Sequence, residues 1–363
     1  MTSSNSFLFL AAIAGLLLLP ASSLSVSTFF FPPPPPTINP WLSFRNLSGC
    51  HRGDDKPGLA DLKHYLKHFG YLPTSSMNST DSFDDALEIA IRSYQRFFGL
   101  SATGEIDEPT VDQLMSPRCG VADFVNGSSA LPGRNLYAYF PDAPTWPFWR
   151  RNLKYAITAT SAVPIDRAIL KAVFARAFGR WSAATTLTFE ETDLAADADI
   201  TVGFYRGEHG DGEPFDGVLG TLGHAFSPTD GRLHLDAAEA WVAEGDVARA
   251  ISDVAVDLES VAVHEIGHLL GLGHSAAVDA IMYPAIRTRT RKVELTTDDV
   301  EGIQSLYGSN PKYRGAVPSA PSTSSPETNG GEPARRWRDG LALTVMAVGL
   351  SLLLQIRSRS RVG

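Results

Sequence analysis

The segment His264-Glu265-Ile266-Gly267-His268-Leu269-Leu270-Gly271-Leu272-Gly273-His274-Ser275 carries three histidines, two of them four residues apart. Residues at that spacing share a helix face, so His264 and His268 can offer both imidazoles to one metal ion, with Glu265 beside them as a base. Gly271 allows the chain to leave the helix sharply and to swing His274 back as a third ligand. Three protein ligands leave the fourth tetrahedral position of a zinc ion open, as a catalytic site requires. A histidine pair alone would more often be structural; the glycine and the third histidine separate the two readings.

Outward from that helix, expected from about Val254 to Leu270, the pattern is mixed. A strand is expected at Leu153 to Thr158, then a long amphipathic helix opened by Pro164 and running to Trp181. Further strands are expected at Leu187 to Glu190, Ile200 to Phe204, and around Leu233 and Leu235, and a last helix runs from Thr297 to Tyr307. The Gly- and Asp-rich stretch from Gly207 to Gly223 has no readable helix or strand, and loops of that length usually bind something. Earlier in the chain, Leu59, Leu62, Leu66 and Phe69 form one helical stripe ending at Gly70. A second helix is expected from Phe83 to Phe98, and a third near Glu108 and Pro109. The fold class is therefore α+β, with a three-helix unit (57–116) ahead of a mixed domain (135–312). The 363 residues carry 31 Lys and Arg against 40 Asp and Glu, a net charge of −9. With no basic stripe to displace counterions from phosphates, a nucleic-acid partner is excluded.

The histidine segment, with Ser275 after it and Met282 in Ala280-Ile281-Met282-Tyr283-Pro284, resembles the metzincin peptidases, and within them the matrixins, or matrix metalloproteinases. Pro117-Arg118-Cys119-Gly120-Val121-Ala122-Asp123 resembles the matrixin cysteine switch, in which a thiolate fills the open zinc position while an Arg-to-Asp pair, here Arg118 and Asp123, braces the loop. The family has Pro where this chain has Ala122, which implies a looser loop. The resemblance implies a second, structural zinc held by His209, Asp211, His224 and His234. It also implies a calcium loop using Asp216, Gly217, Leu219, Thr221, Asp236 and Glu239, with Asp199 as part of a second calcium site. Met282 would be the apolar floor under the zinc. The implied fold is a twisted, mostly parallel sheet with three helices, preceded by a prodomain that resembles a peptidoglycan-binding module. The order of parts resembles that of plant matrixins.

The activity implied by the resemblance is that of a zinc endopeptidase in which Glu265 is base and then acid. The substrate would lie along an edge strand near Ile200 to Phe204. An apolar P1′ pocket would be walled by Val261 to His264 and Pro284 to Val293, with a basic rim of Arg287, Arg289, Arg291 and Lys292. No Arg-x-x-Arg site precedes Tyr137, so activation is expected from another protease or autolysis near Arg134 to Tyr137. Binding to wall polysaccharide through the helical unit is the alternative role.

Both ends read as processing signals. Residues 1–23 resemble a signal peptide, and residues 24–56 are Pro-rich at first and carry Cys50. Sequons at Asn46, Asn78 and Asn126 agree with secretion. A linker (313–331) leads to small residues at Asn329 and Gly330, and the stretch 332–363 reads as a hydrophobic anchor signal. That order predicts a lipid anchor in the outer leaflet of the plasma membrane. The terminal Arg357, Arg359 and Arg361 keep a single-pass helix as the alternative. The expected partners are extracellular protein substrates and an activating protease, and the expected state is a monomer. Cys119 in the switch leaves Cys50 as an unpaired prodomain thiol.

Overall fold

The computed structural model describes residues 39–73, 80–124 and 137–315. The signal segment, the sequons at Asn78 and Asn126, most of the expected activation segment and the anchor site at Asn329 or Gly330 lie outside them. The helical unit comprises α1 (Leu59–His68), α2 (Asp85–Phe97) and α3 (Glu108–Leu114). Asp84 starts α2 two residues later than expected because its side chain accepts from Leu87 N at 2.9 Å; it also accepts from the buried Lys63 at 2.8 Å. Asp107 caps α3 in the same way, ahead of Pro109. The predicted stripe is buried, and around it Tyr65, Phe69, Tyr71, Tyr94, Phe97 and Phe98 make an edge-to-face aromatic core.

The larger layer is a six-stranded sheet of β1 (Arg118–Cys119), β2 (Asn152–Ile157), β3 (Thr188–Glu191), β4 (Ile200–Tyr205), β5 (Thr221–Ala225) and β6 (Arg232–Asp236), in the order β1-β5-β6-β4-β2-β3. Only β5 and β6 are antiparallel. Against it pack α4 (Arg167–Ala184) and α5 (Leu258–Leu269), tied by Trp181 Nε1 donating to Val263 O at 2.8 Å. The last helix, α6 (Thr297–Tyr307), returns Tyr307 OH to Leu270 O at 2.9 Å, just past the end of α5.

Several expectations need correction. Helix α4 begins at Arg167, not Pro164, because Asp166 caps it through Ala168 N at 2.7 Å. Helix α5 begins at Leu258, not Val254: β8 (Ala255–Asp257) pairs in parallel with the unforeseen β7 (Ala240–Val242), and Asp257 then caps the helix. Strand β5 begins inside the stretch expected to hold no strand. Most important for function, Ile200 to Phe204 is not an edge. Strand β4 lies between β6 and β2; the edges are β3 and, on the other side, β1 of the preceding segment, which pairs with β5. Among the described residues no helix is long and apolar enough to cross a membrane.

Candidate active site

Helix α5 is buried along its whole length, so both of its histidines face protein. Each imidazole is oriented by a carbonyl: His264 Nδ1 donates to Ile281 O at 2.7 Å and His268 Nδ1 to Leu272 O at 2.8 Å, so both Nε2 atoms point into one space. Gly271 turns the chain at φ +100°, against Pro144 O, where a Cβ would collide. The turn delivers His274 Nε2 to 3.1 Å from His268 Nε2, the same separation as His264 Nε2. Zinc bonds of about 2.0 Å in a tetrahedron put ligand atoms roughly 3.3 Å apart, so these three nitrogens fit a zinc site. Burial holds the His264 and His268 imidazoles well below their usual pKa, in the neutral form that binds metal.

The fourth atom is Cys119 Sγ, 3.4 Å from His268 Nε2. Burial, and then Glu265, push the thiol well above its usual pKa, so a thiolate there needs a cation beside it. Its strand is held from both sides. Arg118 N and Gly120 N donate to Gly220 O and Gly223 O, each at 2.8 Å, and on the other side Cys119 N donates to Pro284 O at 2.9 Å and Ile286 N to Pro117 O at 3.1 Å. The brace is present and wholly buried, with Arg118 Nη2 on Asp123 Oδ1 at 2.6 Å and the guanidinium 3.6 Å from the Phe69 ring centroid. Asp123 has a second role that the sequence did not reveal: the same oxygen accepts from His274 Nδ1 at 2.7 Å. The Arg118 charge and the His274 hydrogen bond outweigh desolvation and hold Asp123 down at about 2.

Glu265 is fully buried, and neither carboxylate oxygen has a hydrogen-bond partner. Burial with Cys119 in place pushes it up to about 8. Met282 lies under the histidines, packed so closely on Gly267 that a Cβ there would strike its sulfur. Its turn is pinned from α6, where Asp299 accepts from Ile281 N at 2.9 Å and Met282 N at 3.0 Å. Sequence reading missed this role of Asp299, although the capping box with Thr296 was a usable signal.

The structure brings the second set together as well. Asp211 Oδ2 stands 2.9 Å from His209 Nε2, 2.8 Å from His224 Nε2 and 2.7 Å from His234 Nδ1, a closed four-ligand cluster. Among the described residues, this and the Cys119 cluster are the two groups of ligand atoms within 4.8 Å of one another. In the neighbouring loop Asp216, Asp236 and Glu239 face each other, with Thr221 N and Gly217 N donating to the first two. Burial and mutual repulsion push Asp216 up to about 7 and Glu239 up to about 9, and both Glu239 oxygens are orphaned. Asp199 pairs with Arg150 and accepts from Lys154 N at 2.8 Å. Cys50 and Cys119 are both free and buried.

Beneath Cys119 lies a cavity of about 20 Å³ lined by Leu222, Val261, His264, Tyr283, Ile286 and Lys292 among others. Its expected basic rim is only partly available. Arg289 is bound to Asp253, and Arg291 to Asp257 and Glu259, so the neighbouring carboxylates neutralise both.

Comparison with known proteins agrees with this geometry. A family profile described as Matrixin matches residues 145–308, and one described as a putative peptidoglycan binding domain matches residues 55–114. Metalloendoproteinase 2-MMP of Arabidopsis thaliana is 48% identical over 338 residues, covering 86% of this chain and 88% of that protein. Metalloendoproteinase 1 of Glycine max is 47% identical over 264 residues, 72% of this chain and 85% of that protein. Neutrophil collagenase of Homo sapiens is 37% identical over 276 residues, 73% of this chain and 53% of that protein. The chain is a metalloendopeptidase of the matrixin family.

Proposed function

We propose that the chain is a secreted zymogen that cleaves internal peptide bonds of extracellular proteins and is kept latent by Cys119. The observation that carries this reading is the placement of Cys119 Sγ with the Nε2 atoms of His264, His268 and His274, all within 4.8 Å, on a strand that fills the cleft. A zinc ion held by His264, His268 and His274 would supply Lewis acidity for the attack of water on the peptide carbonyl. Glu265 takes the proton from the attacking water and returns it to the leaving amine. With β1 withdrawn, Gly220 O, Gly223 O and Pro284 O become free to hold a substrate strand, so the peptide adds to the edge of β5. The cavity beneath Cys119 receives the P1′ side chain, and its lining favours an apolar one such as Leu.

His209, Asp211, His224 and His234 hold a structural zinc. Asp216, Asp236 and Glu239, with the carbonyls of Gly217, Leu219 and Thr221, hold calcium; the buried Glu239 carboxylate, both of whose oxygens are orphaned beside two further carboxylates, is otherwise costly. Exposed Asn46 is available for glycosylation. Another protease, or autolysis, cuts near Arg134 to Tyr137, and a lipid anchor near Asn329 or Gly330 keeps the mature enzyme at the cell surface. Wall binding as the main role is disfavoured by the helical unit sharing its core with Tyr283 of the cleft.

The test is hydrolysis of a quenched peptide with Leu at P1′ by the purified precursor, before and after a mercurial thiol reagent, with Glu265→Gln as control. Activity released by the reagent and missing from the control is expected. Silence despite bound zinc would overturn the reading.

A further inference from the structure

Lys292 lines the cavity beneath Cys119. Next to that cavity is a cleft of about 430 Å³ lined by Val278, Asp279 and Thr290 and by Gln113 and Ser116 at the end of the helical unit, and Tyr283, Ala285, Ile286 and Lys292 line both spaces. Those four residues are therefore a partition, and Lys292 is its one charged member.

Lys292 is fixed at both ends. Its backbone N donates to Ser260 Oγ at 2.8 Å, which fastens it to the first turn of α5. Its Nζ donates to Val278 O at 2.8 Å and stands 5.3 Å from the centroid of the Tyr283 ring. An ammonium has three donors, and Val278 O is the one protein acceptor found for it among the described residues. No carboxylate forms an ion pair with it there, whereas the adjacent Arg291 is spent on Asp257 and Glu259. Desolvation lowers its pKa to about 8, and the more distant Asp299 and Asp279 only partly offset this, as expected of an amine facing protein more than water. The plainer role, an aliphatic stem packing on Tyr283 with its head in solvent, leaves unexplained why the same residue lines the inner cavity beside His264 and Glu265.

We propose that Lys292 is the specificity-determining floor of the P1′ pocket, which limits the pocket's depth and selects, among longer side chains, those ending in an oxygen acceptor. Leu stops short of the floor and is governed by the apolar walls. Gln and Met have the same reach, but Gln brings a carbonyl oxygen to the ammonium and Met a poor acceptor. Phe is too long for the pocket while the partition stands. This inference rests on the assignment of the cavity to P1′ made above.

The experiment is kcat/KM of the mercurial-activated full chain on four peptides that differ only at P1′, with Leu, Gln, Met or Phe, for the wild type, Lys292→Met, Lys292→Arg and Lys292→Ala, each checked for zinc content. The expected results are a Gln:Met ratio about tenfold lower in Lys292→Met than in wild type, the scale of one charge-assisted hydrogen bond, a ratio retained in Lys292→Arg, and a Phe:Leu ratio raised in Lys292→Ala. A Gln:Met ratio that stays within about twofold in Lys292→Met overturns the proposal. If Lys292→Met does not load zinc, the arginine variant decides, and loss of the Gln preference there overturns it equally. Wild-type rates indifferent to all four residues would instead remove the P1′ assignment itself, a different failure from an unchanged ratio.

Discussion

The two four-ligand clusters differ in where their last ligand comes from. The His209, Asp211, His224 and His234 cluster is assembled from one loop and the β5–β6 hairpin, and its carboxylate touches all three imidazoles. The other takes three histidines from one helix and its exit turn, and its thiol from a segment 149 residues away from His268. A cage whose ligands all sit on one hairpin and the loop leading into it closes when the domain folds and stays closed. A cage completed by a remote, separately packed segment can be opened without unfolding the domain. Under the function proposed above, the same metal chemistry would serve as a staple in one place and as a latch in the other.

The largest expected effect on this contrast is at Glu265, which belongs to the latch cluster but ligates nothing. Glu265→Gln should lower kcat by roughly 10²–10⁴ with zinc content unchanged, as measured on the thiol-reagent-activated enzyme. Next comes the brace. Arg118→Ala removes the cation paired with buried Asp123, which keeps only its hydrogen bonds from His274 and Tyr71, so the brace should loosen and activity should appear without any thiol reagent. At the staple, Asp211→Ala should remove one of two zinc ions per chain and lower the melting temperature, while the His264 cluster keeps its ion, as read by metal analysis. If both ions leave together, the two cages are not independent.

A subtler effect is expected at the calcium loop. The folded-state pKa values of Glu239 and Asp216 are raised to about 9 and about 7, so without a cation the native state binds more protons than the unfolded chain. Stability should then be full below about pH 4.5 and fall as pH rises toward 9. A calcium-selective chelator should reveal that decline in melting temperature, and added calcium should flatten it. Smallest of all, Ala122→Pro should stiffen the switch loop and lower the basal activity of the zymogen a few-fold. Latency already tight and unmoved by this change would count against a loose loop.

The parts of the site that could be read in the sequence are those set by local geometry. A four-residue spacing on a helix, a glycine at its exit and a motif around Cys119 carry their own structural meaning. What could not be read depends on sheet order. Ile200 to Phe204 has the composition of a strand, but nothing within it says that β6 and β2 flank it, or that Thr221–Ala225, at the end of a Gly-rich stretch, is the strand on which β1 pairs. The same holds for the hydrogen bond from His274 to Asp123 and for Lys292 in the cavity wall, because each joins segments far apart in the chain. Short strands such as Ala240–Val242 are too brief to show a period.

The Arg118–Asp123 pair has side chains that are 1% and 0% exposed, and the strand around it is bonded along both flanks. No protease can draw that backbone into its own cleft, so a cut can fall only outside it. Severing the chain would therefore not by itself start catalysis. It would turn a tethered inhibitor into a free one, and onset would become a dissociation with its own rate, faster to complete in dilute solution and reversible where the severed piece accumulates.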